Sequence, residues 1–258
     1  MTQPDILPHI VIGGAPRSGT TFLCELLAKH PQVYIARPFI PEPKICLTPD
    51  PAGDLGFRRR YASLFANAPK GTIRIEKTSN YFENDEARER LARLLPDTKF
   101  VFILREPVAR AYSNWLWSTS NGLETLPFAE AVACEGKRPS PLPPERSYAR
   151  PFDYMLRSRY GSFAAAWIKS IGRERIAFYV FETAVAQPEP FVAHLQRFIG
   201  VRPLPWDDLR TGRVNVNPLE GADLDPLLVQ KLKAQIAPEM AQLARLTGLD
   251  ISVWGFAA

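Results

Sequence analysis

The chain has 258 residues, 46% hydrophobic and 23% charged, a composition ordinary for a soluble globular protein and sufficient for one large α/β domain or two small ones. Its net charge of +5 favours an anionic ligand or acceptor but does not by itself indicate nucleic-acid binding. The sequence has no apolar run of transmembrane length and no secretory leader pattern, so we expect a cytosolic protein.

Strand and helix patterns alternate along the chain. The run KFVFILR is typical of the middle of a parallel sheet, and Pro107 stands where the first turn of the next helix would begin. The patterns predict strands over 9–14, 72–77, 99–105 and 175–181, and helices over 19–29, 84–95, from 107 onward, 188–200 and 225–247. This alternation predicts an open parallel sheet with helices on both faces, in a single domain over residues 1–258. The phosphate-binding loop described below makes the predicted sheet one of the P-loop type.

Two proline-rich segments, residues 36–60 and 120–158, interrupt this alternation. Both are longer than ordinary connections between strands and helices, and loops of such length in a compact domain are usually functional or disordered. We therefore expect them to frame a binding cleft.

The stretch GAPRSGTT at residues 14–21 predicts an anion site between the first strand and the first helix. Two glycines five residues apart, followed by threonine, keep the spacing of a phosphate-binding loop, in which backbone N–H groups at a helix N-terminus hold the anion. Thr20 replaces the usual lysine, and Arg17 supplies a positive charge three residues earlier. The third predicted strand ends in Arg105, where a metal-holding strand usually offers aspartate. The loop therefore suits phosphates but is not built around a metal and a γ-phosphate.

A second motif, FILREPVARAYSNW at residues 102–115, places Arg105 at the carboxyl end of a strand and Ser113 on the following helix. The carboxyl ends of parallel strands face the crevice in which α/β sheets bind ligands. An arginine and a serine there can share one phosphate, whereas for Arg105 considered by itself a surface ion pair with Glu106 or a nearby acid would be favoured.

These motifs resemble those of sulfotransferases that use 3′-phosphoadenosine 5′-phosphosulfate (PAPS) and release 3′-phosphoadenosine 5′-phosphate (PAP). GAPRSGTTFL is similar to the family's 5′-phosphosulfate loop, and FILREPVARAYSNW to its 3′-phosphate motif. PEPKICL (41–47) and IEKTSNYF (75–82) resemble the glutamate-bearing and lysine-bearing segments of the carbohydrate branch, the heparan-sulfate-type enzymes. Residues 157–182 follow the family's helix-then-strand layout, so the resemblance covers nearly the whole chain.

The resemblance implies a role for each matching residue. Arg17 and the backbone N–H groups of Ser18, Gly19, Thr20 and Thr21 would hold the 5′-phosphosulfate. Lys77 would be a second cation near the transferring group, although most strand-end lysines are simply exposed. Arg105 and Ser113 would bind the 3′-phosphate. Arg213, in TGRVNVNP (211–218), is the weaker candidate for a loop that closes over that phosphate, because the cysteine pair that braces this region in the glycosaminoglycan enzymes is missing.

Glu42 is the candidate base for the acceptor proton. It lies between two prolines at the position of the family's glutamate, while the alternative is an ordinary solvent-facing loop acid. Lys44 is a candidate contact for an acidic acceptor or for the sulfuryl group. The other sulfotransferase branch uses histidine, but His9, His30 and His194 lie outside the positions where that base is expected. The adenine ring should stack on an aromatic side chain, with Tyr81, Phe82 and others left open.

No metal is predicted, because acidic residues near the loop lack ligand spacing and the three cysteines, Cys24, Cys46 and Cys134, show no CxxC pair.

The resemblance implies a glycan or glycosylated small molecule as acceptor, with a phenolic or tyrosyl acceptor as the alternative. A P-loop kinase or an inactive nucleotide-binding module fits less well. Basic residues could line the acceptor cleft or simply be solvated: Lys137, Arg138, Arg146, Arg150, Arg157, Arg159 and Arg58 to Arg60. Trp115, Trp117 and Tyr148 could stack on a sugar, although the two tryptophans could equally belong to the core.

Overall fold

The computed structural model describes residues 6–37, 39–210 and 224–256. Within those ranges the strands are β1 (Ile10–Gly14), β2 (Val33–Ile35), β3 (Ile73–Lys77), β4 (Lys99–Leu104) and β5 (Ile176–Val180). The helices are α1 (Thr20–Leu27), α2 (Gly53–Leu64), α3 (Asp85–Leu94), α4 (Pro107–Ser120), α5 (Phe128–Ala133), α6 (Tyr160–Ile171), α7 (Phe181–Ala186), α8 (Pro188–Ile199), α9 (Trp206–Leu209) and α10 (Pro226–Thr247).

The strands form one sheet in the order β2-β3-β1-β4-β5, and each neighbouring pair is parallel. The predicted α/β class is confirmed. All five strands point the same way, so their carboxyl ends meet at one edge of the sheet. Because β1 lies between β3 and β4, the loop after β1 sits beside the ends of both strands. The site described below is built at this junction.

Both faces of the sheet are covered, which explains why the central strands read as continuous apolar runs. On one face, Phe100 and Phe102 of β4 pack against Trp167 of α6, with ring centroids 5.1 and 4.8 Å apart. On the other face, Ile103 of β4 belongs to a buried cluster that includes Leu23 of α1. Successive side chains along β4 therefore contribute to two separate hydrophobic cores, one on each face of the sheet.

Local signals fix the helix that follows β4. Pro107 occupies the first turn of α4, and the Glu106 side chain accepts a hydrogen bond from the backbone N–H of Ala109 at 2.5 Å. A carboxylate at this position both caps the helix and complements its dipole. The start of α4 is thereby held against the carboxyl end of β4.

The two proline-rich segments contain more regular structure than the sequence indicated. Residues 36–60 run into α2, whose mixed and strongly charged sequence has only a weak apolar stripe of Gly56, Phe57 and Tyr61. Residues 120–158 contain α5 and short 3₁₀ turns. The strand β2 was also missed, because three residues, two half-buried and one buried, give too short a pattern to distinguish from a loop.

In the described parts of the chain, no helix is long and apolar enough to cross a membrane. The three cysteines are free thiols, and Cys24 and Cys46 are buried. They pack as small apolar side chains, as the sequence predicted.

Candidate active site

The loop between β1 and α1 makes a tight turn that requires glycine. Gly19 precedes the first residue of α1 and has φ of 91°, in the left-handed region. A Cβ atom built on Gly19 would lie 2.3 Å from Cδ2 of Phe181, so any side chain there would collide with an aromatic ring. The chain thus brings the start of α1 close to the end of β5.

No side chain of the described residues caps the start of α1. The first bond into the helix is donated by Leu23 to the carbonyl of Gly19, at 3.1 Å, so the N–H groups of Thr20 and Thr21 precede it. The N–H of Ser18 instead donates to the carbonyl of Ala15 at 3.2 Å. The sequence counted the Ser18 N–H among the anion donors; in this structure the turn itself uses that group, and its role toward an anion stays a prediction.

The two phosphate motifs meet across the sheet edge. Arg17 Nε donates to Ser113 Oγ at 3.2 Å, and Arg105 Nη1 donates to the carbonyl oxygen of Arg17 at 3.3 Å. Arg105 is only 6% exposed and its guanidinium lies 5.3 Å from the ring centroid of Phe181. Burial lowers the pKa of Arg105 from its ordinary value, and the Glu182 carboxylate offsets part of that effect. The structure therefore gathers Arg17, Arg105 and Ser113 into one positively charged wall.

Lys77 joins the same loop to the predicted base. It is the last residue of β3 and is almost completely buried, with its Nζ 2.8 Å from Glu42 Oε1. The same Nζ donates to Thr21 Oγ1 at 3.2 Å. An ammonium on a flexible stem has three rotatable donors and can therefore bridge two such oxygens. Glu42, Lys77 and α1 thus form a continuous chain of contacts.

Glu42 is held in place by a residue that sequence reasoning missed. The backbone N–H of Ser79 donates to Glu42 Oε2 at 3.0 Å, and Ser79 Oγ donates to Oε1 at 2.8 Å. The carboxylate therefore receives three donors in all, two on Oε1 and one on Oε2. Glu42 is not a solvent-facing loop acid. The only sequence signal was that Ser79 lies two residues after Lys77.

A second carboxylate, Glu76, is fully buried immediately before Lys77 in β3. It accepts hydrogen bonds from the hydroxyls of Thr78, Tyr61 and Tyr81, each 2.8 Å long. No pattern in the sequence singled out this residue, since an acid inside a strand pattern is ordinarily solvent-exposed.

Lys44, two residues after Glu42 in the chain, lies beside Tyr148. Its Nζ donates to the Tyr148 hydroxyl at 3.3 Å and lies 4.9 Å from the centroid of that ring. Asn80 Nδ2 donates to the Tyr148 carbonyl at 3.1 Å, which ties the segment 143–150 to the residues after β3. The second proline-rich segment therefore reaches the site, as expected.

Most of the basic residues within 137–159 form ion pairs with acidic side chains of this chain. Arg138 binds Glu124, Arg150 binds Asp153, Arg157 binds Glu83, and Arg159 binds Glu239. The Arg157–Glu83 pair is nearly inaccessible to water, with exposures of 3% and 2%. Of the two readings left open by the sequence, an anion-binding rim made of these four arginines is disfavoured, because their charges are already compensated.

Other predicted residues have different positions. Tyr81 and Phe82 are buried, at 0% and 1% exposure, so neither offers a face on which adenine could stack. The three histidines make structural hydrogen bonds: His9 with the Arg74 N–H, His30 with the Arg202 carbonyl, and His194 with the Tyr179 hydroxyl. Arg213 and the segment 211–218 lie outside the described residues.

Trp115 is half-buried, and its Nε1 donates to the Leu126 carbonyl at 2.9 Å. Its ring is 5.2 Å from that of Tyr112. This favours a packing role for Trp115 over sugar stacking.

The described residues contain no group of three or more His, Cys, Asp or Glu able to hold a metal ion, and the absence of a metal from the reaction stays a prediction.

Comparisons with known proteins agree on one family. The model of the sulfotransferase family matches residues 8–50 and 46–208. Heparan sulfate glucosamine 3-O-sulfotransferase 6 of Mus musculus is 30% identical over 199 residues, which are 76% of this chain and 53% of that protein. Bifunctional heparan sulfate N-deacetylase/N-sulfotransferase 3 of Homo sapiens is 24% identical over 213 residues, 77% of this chain and 23% of that protein. The chain thus spans about half, or less, of the length of these curated relatives.

Solved structures share the fold. A sulfotransferase from Alicyclobacillus acidocaldarius superimposes with a TM-score of 0.75 at 24% identity, covering 96% of this chain and 98% of that one. A mouse sulfotransferase complexed with PAP superimposes with a TM-score of 0.54 at 12% identity, covering 91% and 86%. At such identities the likeness establishes the architecture only.

Proposed function

The chain belongs to the sulfotransferase family, and from that premise we propose that it moves the sulfuryl group of PAPS to a hydroxyl, or less readily an amine, of a glycan or glycosylated small molecule. The observation that carries the proposal is the 2.8 Å contact between Lys77 and Glu42, made where the carboxyl end of β3 meets the start of α1. A base and a cation thereby stand beside an anion-binding turn.

The site fits both phosphate groups of the donor nucleotide. The uncapped first turn of α1 offers N–H groups and the positive end of a helix dipole, and Arg17 adds a guanidinium at the same turn. Arg105 and Ser113 reach the neighbouring position from β4 and α4. We assign the first set to the 5′-phosphosulfate and the second to the 3′-phosphate, as the sequence resemblance implies.

The chemistry asked of the protein is charge stabilisation and removal of one proton. Glu42 takes the proton of the attacking hydroxyl as an oxygen–sulfur bond forms to the acceptor. The bond between sulfur and the bridging phosphate oxygen breaks, and the electron pair stays on PAP. Protonation of Glu42 cancels its charge, so Lys77 keeps an uncompensated positive charge beside the reacting sulfuryl group.

The names of the relatives support a saccharide acceptor. They describe transfer to heparan sulfate, at a glucosamine 3-O position in one case and in N-sulfation in the other. We therefore propose an amino-sugar-containing glycan as the acceptor class, with Lys44 and Tyr148 on the acceptor side of Glu42.

The direct test is a screen with ³⁵S-labelled PAPS against desulfated and partially sulfated heparan oligosaccharides, phenols and tyrosyl peptides, followed by mass spectrometry of the product. Transfer to a saccharide supports the proposal, while transfer only to phenols or tyrosyl peptides contradicts the acceptor class. Calorimetry with PAP and AMP tests the nucleotide separately. Equal affinities for the two would contradict a 3′-phosphate site.

A further inference from the structure

The loop that carries Glu42 is fastened to the sheet by an internal polar cluster, made of Glu76, Thr78, Tyr81 and Tyr61 and called here the Glu76 cluster. Thr78 Oγ1 accepts the backbone N–H of Lys44 at 3.0 Å, and the Tyr81 hydroxyl accepts the backbone N–H of Cys46, also at 3.0 Å. Each of these two hydroxyls in turn donates a hydrogen bond to Glu76 Oε1. Two amides of the Glu42 loop are thus tied to one buried carboxylate.

The direction of these hydrogen bonds is fixed by chemistry. A backbone N–H can only donate, so Thr78 and Tyr81 must accept from the loop and donate onward to Glu76. Burial, followed by the charge of Glu76, raises the pKa of Tyr61 and Tyr81 well above the ordinary value, so both remain protonated donors. Burial also raises the pKa of Glu76, against the effect of its three hydroxyl donors. The carboxylate is the acceptor on which all three hydroxyls converge.

Position in β3 explains why this cluster matters for the site. Glu76 and Lys77 are consecutive strand residues and so project to opposite sides of the sheet. Lys77 contacts the Glu42 carboxylate directly, while Glu76 holds the backbone two and four residues further along the same loop. The end of β3 therefore supplies the cation that contacts Glu42 and also anchors the backbone of the loop that carries Glu42.

We propose that the Glu76 cluster positions the Glu42 loop, with Thr78 and Tyr81 as positioning residues that control turnover without binding the nucleotide. This inference rests on the proposed role of Glu42 as base. A shift of about 1 Å between base and reacting atoms can lower the rate of an enzymatic step on the order of a hundredfold. Loosening the loop should consequently lower kcat and leave PAP affinity unchanged.

The chain offers a matched control. T78V and Y81F each remove one donor to Glu76 and also release one loop amide. Y61F removes one donor to Glu76 but releases no loop amide, since the other hydrogen-bonding contact of the Tyr61 hydroxyl among the described residues is with the Cys46 sulfur at 3.6 Å. T78S keeps the hydroxyl and should restore the wild-type values. Comparison of Y81F with Y61F separates loss of the loop tether from general weakening of the core.

We expect kcat to fall about 10- to 100-fold in T78V and Y81F, and less than about threefold in Y61F and T78S. The PAP dissociation constant from calorimetry should stay within about twofold in all four. Amide hydrogen exchange in the peptide covering residues 42–46 should accelerate about two- to twelvefold in T78V and Y81F only, the factor given by loss of one ordinary hydrogen bond.

Two results would overturn the inference. One is unchanged exchange over residues 42–46 in both T78V and Y81F. The other is an equal loss of kcat in Y61F and Y81F at matched thermal midpoints, which would indicate a general effect of core stability.

The exchange measurement needs no acceptor, so it remains decisive if Glu42 proves not to be the base. That second question is answered by E42A: wild-type turnover in E42A removes Glu42 as the base and leaves the sulfuryl-transfer reaction itself standing, whereas T78V added to E42A should cause no further loss of kcat if Thr78 acts through Glu42.

Discussion

The two halves of the candidate site are built in different ways. The nucleotide side consists of the β1–α1 loop, the β4–α4 turn and the helices that follow them, so its functional residues lie close in sequence to the ends of β1 and β4. The base side consists of residues 42–46 and the end of β3, which are more than 30 residues apart and are joined by side-chain hydrogen bonds. A turn at a strand end is positioned by the sheet itself, whereas the base loop depends on a few specific polar contacts.

This difference suggests that the halves should fail differently. Substitutions on the nucleotide side should change ground-state binding, because its donors face fixed phosphate charges. Substitutions on the base side should change turnover, because its groups act only when a proton moves. The predictions that follow test this separation, beginning with the largest effect.

Replacement of Glu42 by Ala or Gln should have the largest effect. With no carboxylate to take the acceptor proton, kcat should fall about 10²- to 10⁴-fold while the PAP dissociation constant is unchanged. Steady-state kinetics and calorimetry on the same preparation check both values. E42Q retains the size of the side chain, so equal losses in E42A and E42Q would assign the effect to the missing base. Wild-type kcat in either variant would remove Glu42 from the mechanism.

Replacement of Arg105 by Ala should act on the other half. Loss of a charge-assisted contact worth about 1.5–3 kcal/mol predicts a 10- to 150-fold weaker PAP affinity, with AMP affinity nearly unchanged. Arg105 also packs against Phe181 and binds the Arg17 carbonyl, so the thermal midpoint must be measured alongside. R105K keeps the charge but loses the fork and should lie between. If R105A weakened PAP and AMP equally, the residue would have no specific role toward the 3′-phosphate.

Replacement of Ser113 by Ala should produce a smaller change of the same kind. One neutral hydrogen bond is worth about 0.5–1.5 kcal/mol, which predicts a two- to twelvefold loss of PAP affinity at unchanged kcat. The Ser113 hydroxyl also accepts a hydrogen bond from Arg17 Nε, so part of the loss of affinity should arise because the Arg17 guanidinium is held less firmly. A double-mutant cycle with R17A measures the coupling, and fully additive losses would show that the two residues act independently.

Replacement of Arg150 by Gln should have almost no effect on acceptor binding. Its charge is already compensated by Asp153 at 2.6 Å, so we expect KM for an anionic saccharide to stay within about twofold. K44Q is the contrasting variant, because the Lys44 ammonium donates to the neutral Tyr148 hydroxyl, and its KM should rise several-fold. A larger rise in R150Q than in K44Q would return the acceptor-binding role to the basic segment.

Much of the nucleotide side was predictable. Residues 14–21 and 102–115 carry glycine spacing, a helix-starting proline and cations next to apolar strands, and each of these signals acts over a short stretch of chain. The structure shows contacts of Arg17 with both Arg105 and Ser113, while the binding roles predicted for these residues stay predictions. Glu42 and Lys77 were identified only through the family resemblance, and their direct contact is seen only in the structure.

The sequence by itself determined the strand–helix alternation, the order of the motifs and the chemistry available at each strand end, because these depend on residues close together in the chain. Tertiary structure decided which distant side chains share a proton or a charge. It placed Glu76 in the core below the Glu42 loop, gave four arginines of residues 137–159 acidic partners, and buried Tyr81 and Phe82. Burial and pairing arise from packing between elements far apart in sequence, so no local pattern could report them.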